Sequence, residues 1–157
     1  MHKKNKAVVI PKEKAVFWLD KHGYWHNKFG KFEHKKIIDY FHTSIRRDDM
    51  GYFLSQMMDN VQEKVYFPYE DTALFVFNII RNADIVLVLN TRRQVKIRPT
   101  KLSIEDGHLY MQLGQEQIKF SAQSLMKISD RIEEENEQYF IRIKKRRYRI
   151  RKRKERL

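Results

Sequence analysis

Between residues 63 and 105 the chain repeats one pattern, and that pattern leaves little freedom in how it can fold. The stretches 63–67, 73–80, 85–90, 94–98 and 102–105 are β-branched and aromatic, and Pro68, Asn82-Ala83-Asp84, Thr91-Arg92-Arg93 and Pro99 part them. Side chains of that kind suit a pleated, half-buried surface, and the breakers between them mark turns. The segment predicts a meander of antiparallel strands. Apolar runs such as 73–77 and 85–89 are five residues long, far below the roughly 20 that a membrane helix needs. No long apolar segment follows the Lys-rich N-terminus either, so the sequence reads as an unexported, cytoplasmic protein.

On either side of the meander the pattern changes. Residues 15–20 read as a short strand, Lys21-His22-Gly23 as a turn and 24–27 as the returning strand. Ile37, Ile38, Phe41 and Ile45 fall at helical spacing, which predicts a helix over 33–47 with Asp48-Asp49-Met50-Gly51 as its exit, followed by a strand at 52–54. Residues 108–113 and 117–120 form a second hairpin around Gly114. Ser121 is placed to cap a helix reaching Glu135 through Leu125, Met126, Ile128 and Ile132, and 139–143 returns to strand. The two flanks echo each other. His22-Gly23, Lys31-Phe32, Ile37-Ile38 and Tyr52-Phe53-Leu54 recur in order as Asp106-Gly107, Lys119-Phe120, Leu125-Met126 and Tyr139-Phe140-Ile141. The fold expected is α+β: an antiparallel β meander with two helices, made of two related hairpin–helix–strand units. Its parts would be a basic arm over 1–14, a first unit over 15–80, a second over 81–143, and a basic, disordered tail over 144–157.

Charge is concentrated at the ends. Of the net charge of +13, Lys3, Lys4 and Lys6 carry three, while residues 142–156 hold eleven basic side chains against the single acid Glu155. The body between is balanced. A clustered cation of this kind attracts a polyanion by releasing condensed counterions. Arg142, Lys144, Lys145, Arg146, Arg147, Arg149, Arg151, Lys152, Arg153, Lys154 and Arg156 are the candidate phosphate contacts, with Tyr148 available to stack on an unpaired base. Glu133-Glu134-Glu135 and Glu137 read as a solvated helix end that can neutralise the tail of this chain or of a neighbour, so the competing expectation is a solubilising tail or one folded back on 133–137. An anionic lipid surface is a further reading of the same charge.

Little in the sequence points to catalysis. Cysteine is absent, which removes thiolate metal sites and a cysteine nucleophile. His34 and His42 are eight apart on the predicted helix, too far to hold one ion, and His22 and His26 are divided by a turn. Glu70 and Asp71 are adjacent in an extended segment and point to opposite faces, so they do not form a general acid–base pair by themselves. No glycine-rich phosphate loop is present. An enzyme would need a cleft joining a histidine such as His26 to Glu70 or Asp71.

Ile45-Arg46-Arg47, Tyr52-Phe53-Leu54, Glu63-Lys64-Val65 and Glu70-Asp71, preceded by Gly23-Tyr24-Trp25, carry a likeness to known proteins. Over roughly residues 15–90 the chain resembles the bacterial family called domain of unknown function 1285, although the Thr-Pro of that family is missing and Glu70-Asp71-Thr72-Ala73-Leu74 lacks its Pro-Phe. The resemblance implies a two-part α+β protein with repeated motifs and a signalling or binding role. It marks Glu63, Glu70 and Asp71 as positions near a cleft or as residues that order the loop around Pro68. The reading that follows is a bacterial, non-enzymatic binding or regulatory module without a cofactor. Its tail contacts nucleic acid, RNA in particular, or another polyanion, and its body offers a surface to a protein partner.

Overall fold

Residues 7–154 are described by a computed structural model, so Lys3, Lys4, Lys6 and Arg156 lie outside the described residues. The chain divides into two compact units between Ala73 and Leu74, seven residues earlier than the boundary the sequence pattern suggests. The first unit comprises β1 (Ala7–Ile10), a 3₁₀ turn (Lys12–Lys14), β2 (Phe17–Leu19), β3 (Trp25–Asn27), β4 (Gly30–Lys31), α1 (Lys35–Thr43), β5 (Ile45–Asp48), β6 (Gly51–Met58) and β7 (Val61–Tyr66). Strands β1, β7, β6 and β5 form one sheet in that order, and β2, β3 and β4 form another. Part of the supposed basic arm is therefore a strand, since Ala7 to Ile10 pair in parallel with Gln62 to Val65.

Aromatic rings fill the core of this unit. Trp25 and Phe67 are buried, and edge-on contacts at 5.0–5.8 Å link Trp25 with Phe17, Phe41 and Phe67. The helix ends at Thr43, short of Arg47. Thr43 Oγ1 donates to the Asp39 carbonyl at 2.9 Å and Ser44 Oγ to the Tyr40 carbonyl at 2.5 Å, which satisfies carbonyls of the last turn. β-Branched Ile45 then enters β5 opposite Leu54, and Leu54 opposes Val65, giving a row of three buried side chains across the sheet. The motifs at 45–47, 52–54 and 63–65 are thus three neighbouring strands.

The second unit contains β8 (Leu74–Arg81), β9 (Ile85–Leu89), β10 (Gln94–Lys96), a 3₁₀ turn (Pro99–Lys101), β11 (Leu102–Glu105), β12 (His108–Leu113), β13 (Glu116–Phe120), α2 (Ala122–Ile128), a 3₁₀ turn (Ser129–Arg131), β14 (Ile132–Glu135), β15 (Gln138–Ile143) and β16 (Arg146–Lys152). All nine strands belong to one sheet, ordered β10-β9-β8-β13-β12-β11-β16-β15-β14. It is three antiparallel meanders joined by two parallel pairs, β8 with β13 and β11 with β16. Because Leu74 already pairs with Ile118, β8 belongs to this unit and the boundary falls before it.

Two expectations are corrected here. Helix α2 starts where the sequence places it, with Ser121 Oγ accepting from the Ser124 N–H at 3.2 Å, but it stops at Ile128, and Ile132 to Glu135 form a strand. Ile132 gains a partner in buried Ile141, which a helix continued to Glu135 would not supply. The tail is also ordered through Lys152. Strand β16 pairs with β15 along Arg146 to Ile150 and with β11 at Arg151 and Lys152, so main-chain groups on both of its sides find partners while Ile150 is buried.

The second and third meanders share one register, 30 residues apart. Leu102 opposes Met111 as Ile132 opposes Ile141, and Tyr110 opposes Lys119 as Phe140 opposes Arg149. The sheet is strongly curled. At about 4.8 Å per strand, β9 and β15 would stand roughly 29 Å apart if it were flat. Asp84, in the loop before β9, nevertheless ion-pairs with Lys144 in the turn after β15 and with Lys96 of β10 at 3.4 Å. The Lys144 ammonium, ahead of Lys96, holds the Asp84 carboxyl below its usual range.

Candidate functional site

Alternation along β15 and β16 sorts the basic residues onto two faces. Ile141, Tyr148 and Ile150 share the apolar face, where Ile141 opposes Tyr148 and Tyr139 opposes Ile150. On the other face Arg142 opposes Arg147 and Phe140 opposes Arg149, with Arg151 continuing the row beside Ser103 of β11. Arg142, Arg147 and Arg149 are exposed, whereas Arg151 and Phe140 are half-buried. The Arg147 guanidinium lies 3.6 Å from the centre of the Phe140 ring, close enough for a cation–π stack. The outcome is a shallow face with arginines in a line and one aromatic ring among them.

Strand β14 supplies the counter-charge. Glu133 pairs with Arg142 and, at 3.5 Å, with Arg147; Glu135 pairs with Arg147. Both acids fall on the arginine side, because Glu133 opposes Phe140 and Glu135 opposes Gln138. Folding back on the acidic stretch is what the structure shows for these two arginines. Lys144, Lys145 and Arg146 lie at the β15–β16 turn, Lys144 held by Asp84. Arg153 is committed elsewhere. Its guanidinium lies 3.9 Å from the Tyr110 ring centre, donates to Gln117 Oε1 at 2.7 Å and sits 3.9 Å from Glu105.

A cavity of about 620 Å³ opens where β16 runs out between the β11–β12 and β14–β15 turns. Arg149, Lys152, Arg153 and Lys154 line it, over a floor of Ile104, Tyr139 and Ile150, with Glu105, Asp106 and Glu137 at its turns. The cation row was readable from residue counts. Folding back on 133–137 was the competing expectation, but the places of Phe140 and Tyr139 beside the cations were not read, although the alternation of apolar Tyr139, Ile141 and Ile143 with polar neighbours signals the strand that aligns them.

The carboxylates of the first unit have local partners. Glu63 Oε1 accepts from Gln56 Nε2 at 2.9 Å across β6 and β7. Glu70 Oε2 accepts the Lys21 N–H at 3.0 Å, and the Glu70 N–H donates to the Leu19 carbonyl, so Glu70 binds the segment after Pro68 to the β2–β3 turn. Asp71 is also engaged. His26 contacts Asp20 at 2.6 Å and stacks on Trp18. Burial acts to raise the Asp20 pKa, but hydrogen bonds from the Tyr24 N–H, His26 and the His22 N–H hold it below its ordinary value. A second cavity, about 420 Å³, is lined by Tyr52, Tyr66, Tyr69, Met50 and Lys12 among others. There the Tyr66 hydroxyl donates to Asp48 at 2.6 Å, which lifts the phenol to about 12. Among the described residues no three metal-ligating side chains gather in one place, and no helix is long and apolar enough to cross a membrane.

Among solved structures, a DUF1285 family protein from Silicibacter pomeroyi DSS-3 superposes with a TM-score of 0.62, covering 94% of this chain and 85% of that one at 9% identity. This chain has a DUF1285-like fold. A DUF1285 family protein from Shewanella baltica OS155 superposes with a TM-score of 0.52 over 76% of this chain and 94% of its own, at 15% identity. No family model and no curated protein matches the sequence. The DUF1285-like likeness spans both units, so the basic strands β15 and β16 belong to a chain that follows that fold over most of its length.

Proposed function

We propose that the protein is a non-enzymatic binding or regulatory module of the bacterial cytoplasm, which contacts a polyanion through the arginine face of β15 and β16. The observation that carries this reading is the row of Arg142, Arg147, Arg149 and Arg151 on one side of a hydrogen-bonded sheet. Cations fixed on a rigid surface lose less conformational freedom on binding than a loose tail does. The partner recognised this way is an extended row of phosphates or sulfates. A signalling role for the folded body is what the family resemblance suggests, and the contacts of Glu63 and Glu70 are local and structural.

Titrating the full chain with heparin and with RNA across a salt series tests the reading. For single-stranded RNA each neutralised phosphate contributes about 0.7 to the slope of log K against log salt. Replacing Arg147, Arg149 and Arg151 by Gln should therefore reduce that slope by about 2. A slope that stays the same would remove the face from the proposal.

Kinship of the two hairpin–helix–strand units belongs to the same proposal. Arg47 opposes Tyr52 as Glu134 opposes Tyr139, and each pair follows a hairpin and a short helix. Superposition of the units in a crystal structure should place Phe32 on Phe120 and Tyr52 on Tyr139.

A further inference from the structure

Resting on that reading of the basic face, we infer that its partner is single-stranded nucleic acid and that strand β14 is an intramolecular competitor for the same arginines. Glu133 and Glu135 stand on the arginine side of β14, and alternate positions of a strand are about 6.8 Å apart. They therefore present two carboxylates in line, as a strand of phosphates would. Between them they engage Arg142 and Arg147, two arginines that oppose each other across β15 and β16. The pairs are open to solvent: the Glu133 side chain is 39% and the Glu135 side chain 59% exposed. Exposed pairs of this kind are held weakly and are screened by salt, so a ligand bringing several phosphates at once displaces them.

Two features favour a single strand over a duplex. β15 and β16 lie inside the sheet with β14 on one side and β11 on the other. A two-stranded ribbon must stand clear of its sheet to enter a major groove about 12 Å wide, and this one does not. The second feature is the Phe140 ring stacked with Arg147. Bases in a duplex hide their faces from such a platform, whereas unpaired bases stack on aromatic rings and guanidinium planes exposed on a sheet. Phosphates would then replace Glu133 and Glu135 on Arg142 and Arg147 while a base stacks on the outer face of the guanidinium that covers Phe140.

The probes are a labelled uridine oligomer of about 12 nucleotides, an RNA duplex of equal length, and heparin, which has charge but no bases. Fluorescence anisotropy with the full-length chain should show the single strand bound about tenfold more tightly than the duplex. In the variant carrying Glu133→Gln and Glu135→Gln, affinity for the uridine oligomer should rise about fivefold. Phe140→Leu should weaken the oligomer about tenfold and leave heparin unchanged. Equal affinity for duplex and single strand overturns the choice of ligand. An unchanged affinity in the double glutamine variant, with the wild-type chain still binding heparin, overturns the competitor role alone. Failure of the wild-type chain to bind any of the three at low salt overturns the parent reading as well.

Discussion

Burial takes the imidazole of His42 down to about 4, against the opposing pull of Asp39. The ring sits in the aromatic core of the first unit, where its Nδ1 accepts from the indole N–H of Trp25 at 3.3 Å, so it must be neutral at that nitrogen. An unfolded chain protonates this residue below about 6.5, and the folded chain only near 4. Between those values the unfolded state binds the extra proton. The contribution of neutral His42 is therefore complete above pH 6.5 and is lost as pH falls towards 4, by on the order of 3 kcal/mol. Urea unfolding at pH 7 and pH 5 should show about 2 kcal/mol of that fall in the natural chain. His42→Gln keeps an acceptor for Trp25 without a titrating group, and should flatten the dependence; an equal fall in the variant would assign it to other groups.

Turns decide how well the strands of the second unit are joined, and the 30-residue register allows a direct comparison. Asp106-Gly107 and Asn136-Glu137 connect equivalent hairpins with both residues at positive φ, 50° and 77° in the first and 52° and 64° in the second. A side chain on left-handed backbone costs about 1–2 kcal/mol, and glycine avoids it. Glu137→Gly should raise stability by about 1 kcal/mol in denaturant unfolding, and Gly107→Ala should lower it by a similar amount. A Cβ at Gly107 would meet open space, so that loss comes from the backbone alone. The same elements show what could be read in advance. The hairpin after Phe17, the strand segments between 63 and 105 and the Ser121 cap were legible, because short-range patterning fixes them. The single meander expected there is corrected: only β8, β9 and β10 form one, while β7 belongs to the first unit's sheet and β11 pairs with β12 and β16. Strand β14 was not legible: three consecutive glutamates have no strand signature, and Ile132–Glu135 is extended because β15 beside it offers Ile141 and Arg142 and β16 beyond it offers Arg147. For β16, repulsion among the cations pointed to disorder, while pairing on both sides and burial of Ile150 outweigh it. The candidate site was legible as a composition and hidden as a geometry, since cross-strand partners are set by tertiary register.

Across the whole chain, most of the excess positive charge recognised in the sequence falls on residues 142–154, within the architecture of the second unit. Residues 142–154 supply the end of β15, the turn after it, the whole of β16 and part of the wall of a cavity. Asp84 links that turn to the β8–β9 loop and to Lys96 on the edge strand, so the curl of the sheet and the position of its basic hairpin are coupled. The place of β16 between β11 and β15 bears directly on how such a protein can be dissected. A chain ending before Arg146 would lose an inner strand and leave two raw edges with unsatisfied main-chain groups, a template for self-association. Size-exclusion chromatography of that shortened chain should show aggregates, and its melting should lose cooperativity; a monomer with the natural melting profile would contradict the strand's structural role. The cationic segment is thus a stave of the vessel it decorates, and its electrostatics can be altered by exchanging side chains but not by trimming the chain.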